Sequence, residues 1–399
     1  MKTKLTFFSL LSLLLIIGCK NNQNDYLQKV LNNLENIETA TYRQTDEIWH
    51  PGDTIASHIR CEFTKEYNNP KDSTIGASYV SVDCNDTTIL LFGYDGTSKF
   101  WTDDDEKTVI IDDFTTNRFS FRPVSPPFFN YAKSIIQYIL TTKDSINVES
   151  TDFEDDYYIK LVIHEDKQVE FFGEAYHMPN PPFERNPISI YELWISKSND
   201  LPYKIRREMA SEATIHICSE VEFNNLSIND LNVFDYFPEN YALQKVGEKS
   251  DVKSTDNLRN KKAPDWILND KNEQLVSLSD YKSKVLLINF TGIGCGPCAL
   301  AIPFLKKLKN DFSAEDLEIV AIETWGNKPH SLQNYADRNS LNYNLLSATD
   351  DLIKDYQTGH GVPVFFILDE QRIIRKIFHG YGIEITDKEI ANAIQEITN

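Results

Sequence analysis

Cys295 and Cys298 are the residues in this chain whose type and spacing most plainly serve chemistry. They lie inside Val285–Phe304, VLLINFTGIGCGPCALAIPF. The apolar run Val285–Phe290 reads as a buried strand, Thr291–Gly294 as a loop, and the segment from Cys295 through Leu308 as a helix. A Cys-x-x-Cys between a buried strand and a helix is a redox dithiol pattern. The first thiol sits where helix N–H groups lack partners and the helix dipole is positive, so its thiolate is favoured. The second lies one turn on, within reach to close a disulfide. Pro297 suits a first helical turn, where its missing N–H costs nothing. As thiolate, Cys295 would attack a disulfide and form a mixed disulfide, which Cys298 would then resolve. The competing readings are a structural disulfide or half a zinc site. No second Cys-x-x-Cys or nearby Cys/His pair completes four ligands, so no metal and no other cofactor is expected.

The surroundings of this motif resemble the thioredoxin superfamily from Ala263 onward, about a third of the chain. CGPC is the active-site sequence of thioredoxin itself, and Pro303 falls where that family has a helix-kinking proline. Gly361-Val362-Pro363-Val364 before Phe365–Leu368 is similar to the family's cis-proline loop. The resemblance implies that this loop faces the dithiol and that Val362 offers its backbone to a substrate strand. The blander reading of Pro363 is a strand-edge proline in a loop. Ala263-Pro264-Asp265-Trp266, followed by Leu275–Tyr281, resembles the membrane-anchored TlpA/ResA-type branch, as does Asn289, six residues before Cys295. Thioredoxin has a buried Asp at that point; Asn289 cannot take a proton. Gly294 stands where the family has Trp, and Gly326 where the branch has an acid. Glu323 is then the nearest candidate to pass a proton to Cys298, or simply a charged strand end. His360 adjoins the loop and reads as facing either the sulfurs or solvent.

With 399 residues the chain has room for two domains, and 41% hydrophobic with 12% aromatic residues suits globular cores. The net charge of −20 argues against nucleic acid and against electrostatic binding to anionic lipid. Six cysteines are too few for a disulfide scaffold.

Residues 1–18 read as a lipoprotein signal peptide. Lys2 and Lys4 precede the apolar stretch Leu5–Ile17, short of the about 20 residues that span a bilayer. Ile16-Ile17-Gly18-Cys19 is similar to a bacterial lipobox, which implies lipidation of Cys19 and a membrane anchor; the alternative is an ordinary cleaved signal. Residues 19–25 form a polar tether. Residues 26–240 read as an amphipathic helix and a long series of short strands with turn signals between them. One helix followed by a meandering antiparallel sheet resembles the LolA/RseB-like fold, which would make this part a half-barrel of α+β type; an unrelated antiparallel β domain is the alternative. Cys61 and Cys84 flank a turn and either pair or, with Cys218, stay as buried apolar thiols. Asp103–Glu106 reads as a solvated hairpin tip, lacking the glycine and terminal glutamate of a calcium loop. Residues 241–262, rich in charge, read as a linker, and 263–399 as an α/β domain of thioredoxin order.

The expected function is thiol:disulfide exchange at the cell envelope, on a periplasm-facing lipoprotein of the outer rather than the inner membrane. CGPC implies reduction of protein disulfides, with a potential of about −270 mV. A reductase outside the cytoplasm needs electrons delivered across the membrane, which implies a DsbD/CcdA-like donor. A peroxiredoxin-like peroxidase is one rival, although Thr291 lies four residues before Cys295 instead of three and the accompanying proline is missing. A client-binding or holdase lipoprotein with a redox-sensing dithiol is the other.

Overall fold

The computed structural model describes residues 23–104, 106–179, 187–248, 255–359 and 361–398. They fall into two compact units. The first holds 23–47, 59–179 and 187–248; the second holds 48–58 and the described residues from 255 to 398. The signal segment, Cys19, Asp105 and His360 lie outside the described residues.

Apart from residues 48, 49 and 58, which belong to the second unit, the first unit runs from α1 (23–35) through β1 (Thr39–Trp49), β2 (His58–Asn68), β3 (Ala77–Asp83), β4 (Leu90–Tyr94), β5 (Lys99–Asp103) and β6 (Thr108–Asp112). Then come α2 (Phe128–Thr141), β7 (Ile146–Asp152), β8 (Asp156–Ile163), β9 (Val169–Phe172), β10 (Glu174–His177), β11 (Ser189–Ser196), β12 (Leu201–Glu208), β13 (Ala213–Phe223) and β14 (Ala242–Lys245). All but β9 and β10 join one mostly antiparallel sheet, in the order β14-β6-β5-β4-β3-β2-β1-β13-β12-β11-β8-β7. The pattern that builds it is visible in β11, where Ser189, Tyr191, Leu193 and Ile195 are buried and the residues between them are not. That two-residue period sends one face of the strand to the core. Leu27, Val30, Leu31 and Leu34 of α1 lie at helical spacing and pack with Phe128, Ile135 and Ile136 of α2 onto this face. Cys61 and Cys84 are disulfide-bonded, with Cα atoms 5.6 Å apart; the register Glu62↔Asp83 sets them opposite each other. Cys218 is a free, buried thiol whose pKa burial pushes up.

A polar group inside this core carries a pH dependence. The α2 amides of Phe129 and Asn130 donate to the Glu66 carboxyl at 3.1 and 2.8 Å, and the Tyr42 hydroxyl donates to it at 3.0 Å. Glu66 thereby satisfies helix N–H groups that Pro127, at the cap, cannot. Burial nonetheless pushes its pKa from 4.5 to about 7, against the lowering effect of those donors. The folded state therefore holds a proton that the unfolded chain has released between those two values. This stabilisation is complete below pH 4.5 and is lost as the pH rises through 7. The displacement corresponds to roughly 3 kcal/mol. Urea unfolding at pH 5 and pH 8 should show that loss in the native chain, and Glu66→Gln should remove about that much of the pH dependence.

The second unit contains the hairpin β15 (Ile267–Asn269) and β16 (Leu275–Ser277), then β17 (Val285–Thr291), α3 (Gly296–Asp311), β18 (Leu317–Glu323) and α4 (Pro329–Arg338). After these come β19 (Asn344–Ser347), α5 (Asp350–Tyr356), β20 (Val364–Leu368), β21 (Ile374–His379) and α6 (Ile385–Thr398). Its sheet order is β19-β18-β17-β20-β21, with β17 parallel to β18 and antiparallel to β20. Every residue of the central strand β17 is buried, as a strand covered on both faces requires. Val285 and Leu287 pack with Ala301, Leu305 and Ile394 of α3 and α6 on one face. Leu286, Ile288 and Phe290 pack with Tyr356 and Trp266 on the other.

Besides α1, which begins at residue 23 inside the tether expected over 19–25, two boundaries differ from the sequence reading. Of the linker expected over 241–262, the described residues 241–248 and 255–262 include a strand and a helical turn. Ala242–Lys245 is β14, lying parallel to β6, with Ala242 N–H donating to Lys107 O at 2.9 Å and Val246 N–H to Ile111 O at 2.9 Å. Thr255–Leu258 is a short helical turn with Leu258 buried. A four-residue edge strand is held by main-chain bonds and needs little apolar content, so its composition resembles a linker. The other difference is residues 48–58, which the sequence reading placed in the 26–240 domain and which belong to the second unit. Among the described residues, no helix is long and apolar enough to cross a membrane.

Candidate active site

The site is built where β17 ends. A turn through Gly292, Ile293 and Gly294 follows Thr291, closed by Cys295 N–H donating to Gly292 O at 3.3 Å, with Gly294 at φ +91°. That left-handed value favours glycine, which accounts for Gly294 at this point. Cys295 is the N-cap of α3, and its Sγ accepts from Cys298 N–H at 3.2 Å. Pro297 occupies the first turn and Pro303 lies inside the helix. The two cysteines are joined as a disulfide, Cα to Cα 5.2 Å. Cys295 is 7% exposed and Cys298 1%, so Cys295 is the sulfur nearer to solvent.

A second element closes over the disulfide. The Val362–Pro363 peptide is cis, and Val362 O lies 3.9 Å from Cys295 Sγ. The sheet dictates this neighbourhood: β20 begins at Val364, in register with Phe290 of β17, so the loop before β20 and the turn after β17 leave the sheet together. Pro363 is buried and Val362 half-buried.

The two candidates for proton handling lie on adjacent strands. Asn289 is paired with Ala321 and Phe365 and shares the face of Val285 and Leu287, which α3 covers. It is buried, and among the described residues its Oδ1 has no hydrogen-bond partner. Glu323, fully buried at the end of β18, is in register with Thr291. Its carboxylate accepts from Trp325 N–H, Asn327 N–H and Asn327 Nδ2. Among the described residues, neither Asn289 nor Glu323 bonds to a sulfur. The structure therefore joins Cys295, Cys298, Val362 and Pro363 directly, and engages Glu323 with its own turn.

Sequence reasoning missed Asn327 and its partners. Asn327 Oδ1 accepts from Ser57 Oγ at 2.7 Å, His50 Nε2 at 2.8 Å and His58 Nε2 at 3.1 Å. These partners lie about 270 positions away in the chain, so no local pattern could disclose them. Among the described residues, one group has the spacing of metal ligands: Asp144, Glu165 and His177 of the first unit. Its atoms are already engaged, Asp144 with the Tyr138 hydroxyl and His177, and Glu165 with Ser145 N–H.

A disulfide at a helix mouth, facing a cis-proline where the inner strands of a five-stranded sheet end, defines a thioredoxin-like thiol-disulfide exchange centre. The AhpC/TSA family matches residues 260–377. Thioredoxin-like protein YneN of Bacillus subtilis is 32% identical over 130 residues, covering 32% of this chain and 74% of that protein. Thiol-disulfide oxidoreductase ResA of Geobacillus kaustophilus is 27% identical over 136 residues, covering 34% of this chain and 75% of that protein. Among solved structures, a thiol:disulfide interchange protein of the thioredoxin family from Chlorobium tepidum is 18% identical and covers 35% of this chain and 98% of its own, with a TM-score of 0.32. Through its C-terminal third, the chain belongs to this AhpC/TSA, thioredoxin-like family, among relatives of the ResA type. It is an oxidoreductase of that thiol-disulfide class.

Proposed function

We propose that the chain is a lipid-anchored envelope protein that reduces disulfides in client proteins through Cys295 and Cys298. The observation that carries this reading is the placement of the Cys295 sulfur. It caps α3, receives an N–H from Cys298 at 3.2 Å, and faces the Val362 carbonyl at 3.9 Å. In the reduced enzyme the helix N-terminus and that N–H stabilise a Cys295 thiolate. The thiolate attacks one client sulfur; the Cys295–client disulfide forms and the client's other sulfur leaves as thiolate. Cys298, deprotonated, then attacks Cys295 Sγ, closes the enzyme disulfide and releases the client's first sulfur as thiolate. Two electrons pass to the client and two protons complete its thiols. The depth of Cys298 suits it to attack only the sulfur beside it. The Val362 backbone pairs with the client strand, and Pro363 presents it.

A dithiol donor of the DsbD/CcdA class returns the enzyme to its reduced form. Anchoring follows from Cys19 in its lipobox-like setting, and the mass of the mature N-terminus decides that point. The LolA/RseB-like reading would make the first unit a client-holding surface. Insulin reduction driven by dithiothreitol tests the activity: the purified chain should accelerate it, with the 295/298 couple poised at about −270 mV. A couple near −120 mV would make the protein an oxidant and overturn the direction proposed.

A further inference from the structure

The turn after β18 sets an exposed indole against the loop that presents Cys295. Glu323 Oε1 accepts from Trp325 N–H at 3.1 Å and from Asn327 Nδ2 at 2.8 Å, and Oε2 accepts from Asn327 N–H at 3.1 Å. A buried carboxylate thus gathers residues 325–327 into a tight turn, which Gly326 completes at φ +72°. The far side of that turn is pinned as well, since Ser57, His50 and His58 all donate to Asn327 Oδ1. Thr324 N–H to Thr291 O, at 3.0 Å, ties the end of β18 to the end of β17.

The result is a fixed position for the Trp325 ring, directly on the backbone of Gly292. A Cβ at residue 292 would stand 2.6 to 2.8 Å from three indole carbons, so only glycine lets the ring lie there. Gly292 is also the residue whose carbonyl receives the Cys295 N–H. The indole therefore rests on the turn that holds the nucleophile, and it is 39% exposed. Cys295 is only 7% exposed, so a polypeptide that reaches its sulfur must settle closely on the surrounding surface.

We propose that Trp325 is a specificity-determining residue. It is an apolar shelf for the client segment next to the disulfide being reduced, with Glu323 and Asn327 as the positioning residues that hold it there. This rests on the reductase reading above. Tryptophan suits the role because a rigid aromatic contributes large contact energy at little conformational cost. A small disulfide reagent needs no such shelf.

The test uses the full chain, with insulin as the protein disulfide and 5,5′-dithiobis(2-nitrobenzoate) as the small one. Trp325→Ala should raise KM for insulin about tenfold, with kcat, the rate with the small reagent and the 295/298 redox equilibrium all within about twofold of wild type. Trp325→Phe should recover most of the insulin KM. Gly292→Ala, which displaces the ring and leaves it in the chain, should also raise the insulin KM. An unchanged insulin KM in Trp325→Ala, or an equal loss on both disulfides, would overturn the assignment. A wild-type chain that reacts with the small reagent and not with insulin would instead overturn the reductase reading itself.

Discussion

Cys295→Ser is expected to lower dithiothreitol-driven insulin reduction by about 10³-fold or more. Serine offers a hydroxyl of far higher pKa and far lower reactivity toward sulfur, so no mixed disulfide forms. Cys298 cannot substitute, because only 1% of it is exposed. The loss should be one of chemistry and not of folding. Cys295 is the N-cap of α3 and accepts the Cys298 N–H, a role in which serine is among the preferred residues. Thermal unfolding of the reduced variant should therefore match that of the reduced wild type. Insulin reduction above about a tenth of the wild-type rate would remove Cys295 from the centre of the mechanism.

The largest expected effect on stability comes from the first unit. Arg207→Leu should cost about 3–5 kcal/mol, the usual penalty for stranding one member of a buried ion pair. Arg207 Nε donates to Glu170 Oε2 at 2.9 Å, Nη2 contacts Glu170 Oε1, and Nη1 reaches Glu212 Oε1 at 3.1 Å. The Tyr191 hydroxyl and Gln168 Nε2 also donate to Glu170, which is only 7% exposed. Without the guanidinium, Glu170 keeps two neutral donors and loses its main counter-charge. The double variant Arg207→Leu with Glu170→Leu should regain most of the loss, because an apolar pair of similar volume carries no desolvation penalty. Urea unfolding of the full chain, with hydrogen exchange of the β11 and β12 amides, measures both variants. Equal stability of Arg207→Leu and wild type would show that the pair is not a buried one in solution.

What could be read from the sequence divides along the range of the interactions. β17 and α3 were legible because their signals are local. An unbroken apolar run, a glycine-containing turn, a cysteine cap and a first-turn proline follow one another within twenty residues. The Gly361–Val364 loop was legible for the same reason, and the register of β20 on β17 explains why it meets Cys295. β14 was not legible: ALQK has the composition of a linker and becomes a strand only because β6 offers it an edge. β19, with two buried residues in NLLS, is equally faint. Hidden most deeply were Asn327 and the indole of Trp325. Their positions are set by Glu323 from the preceding strand and by Ser57, His50 and His58 from a distant segment. Glu323 itself was found as a candidate for moving protons. Its three N–H partners show what else it does, namely shape the turn that carries Trp325.

Capture of a client on Cys295 is the most direct measurement of the central claim. With Cys298→Ala, the resolving step is removed and the first step remains. The reduced variant, mixed with a disulfide-containing protein such as insulin, should accumulate a covalent adduct that dithiothreitol releases and that peptide mapping places on Cys295. No adduct would contradict the account, and so would one mapped to any other cysteine.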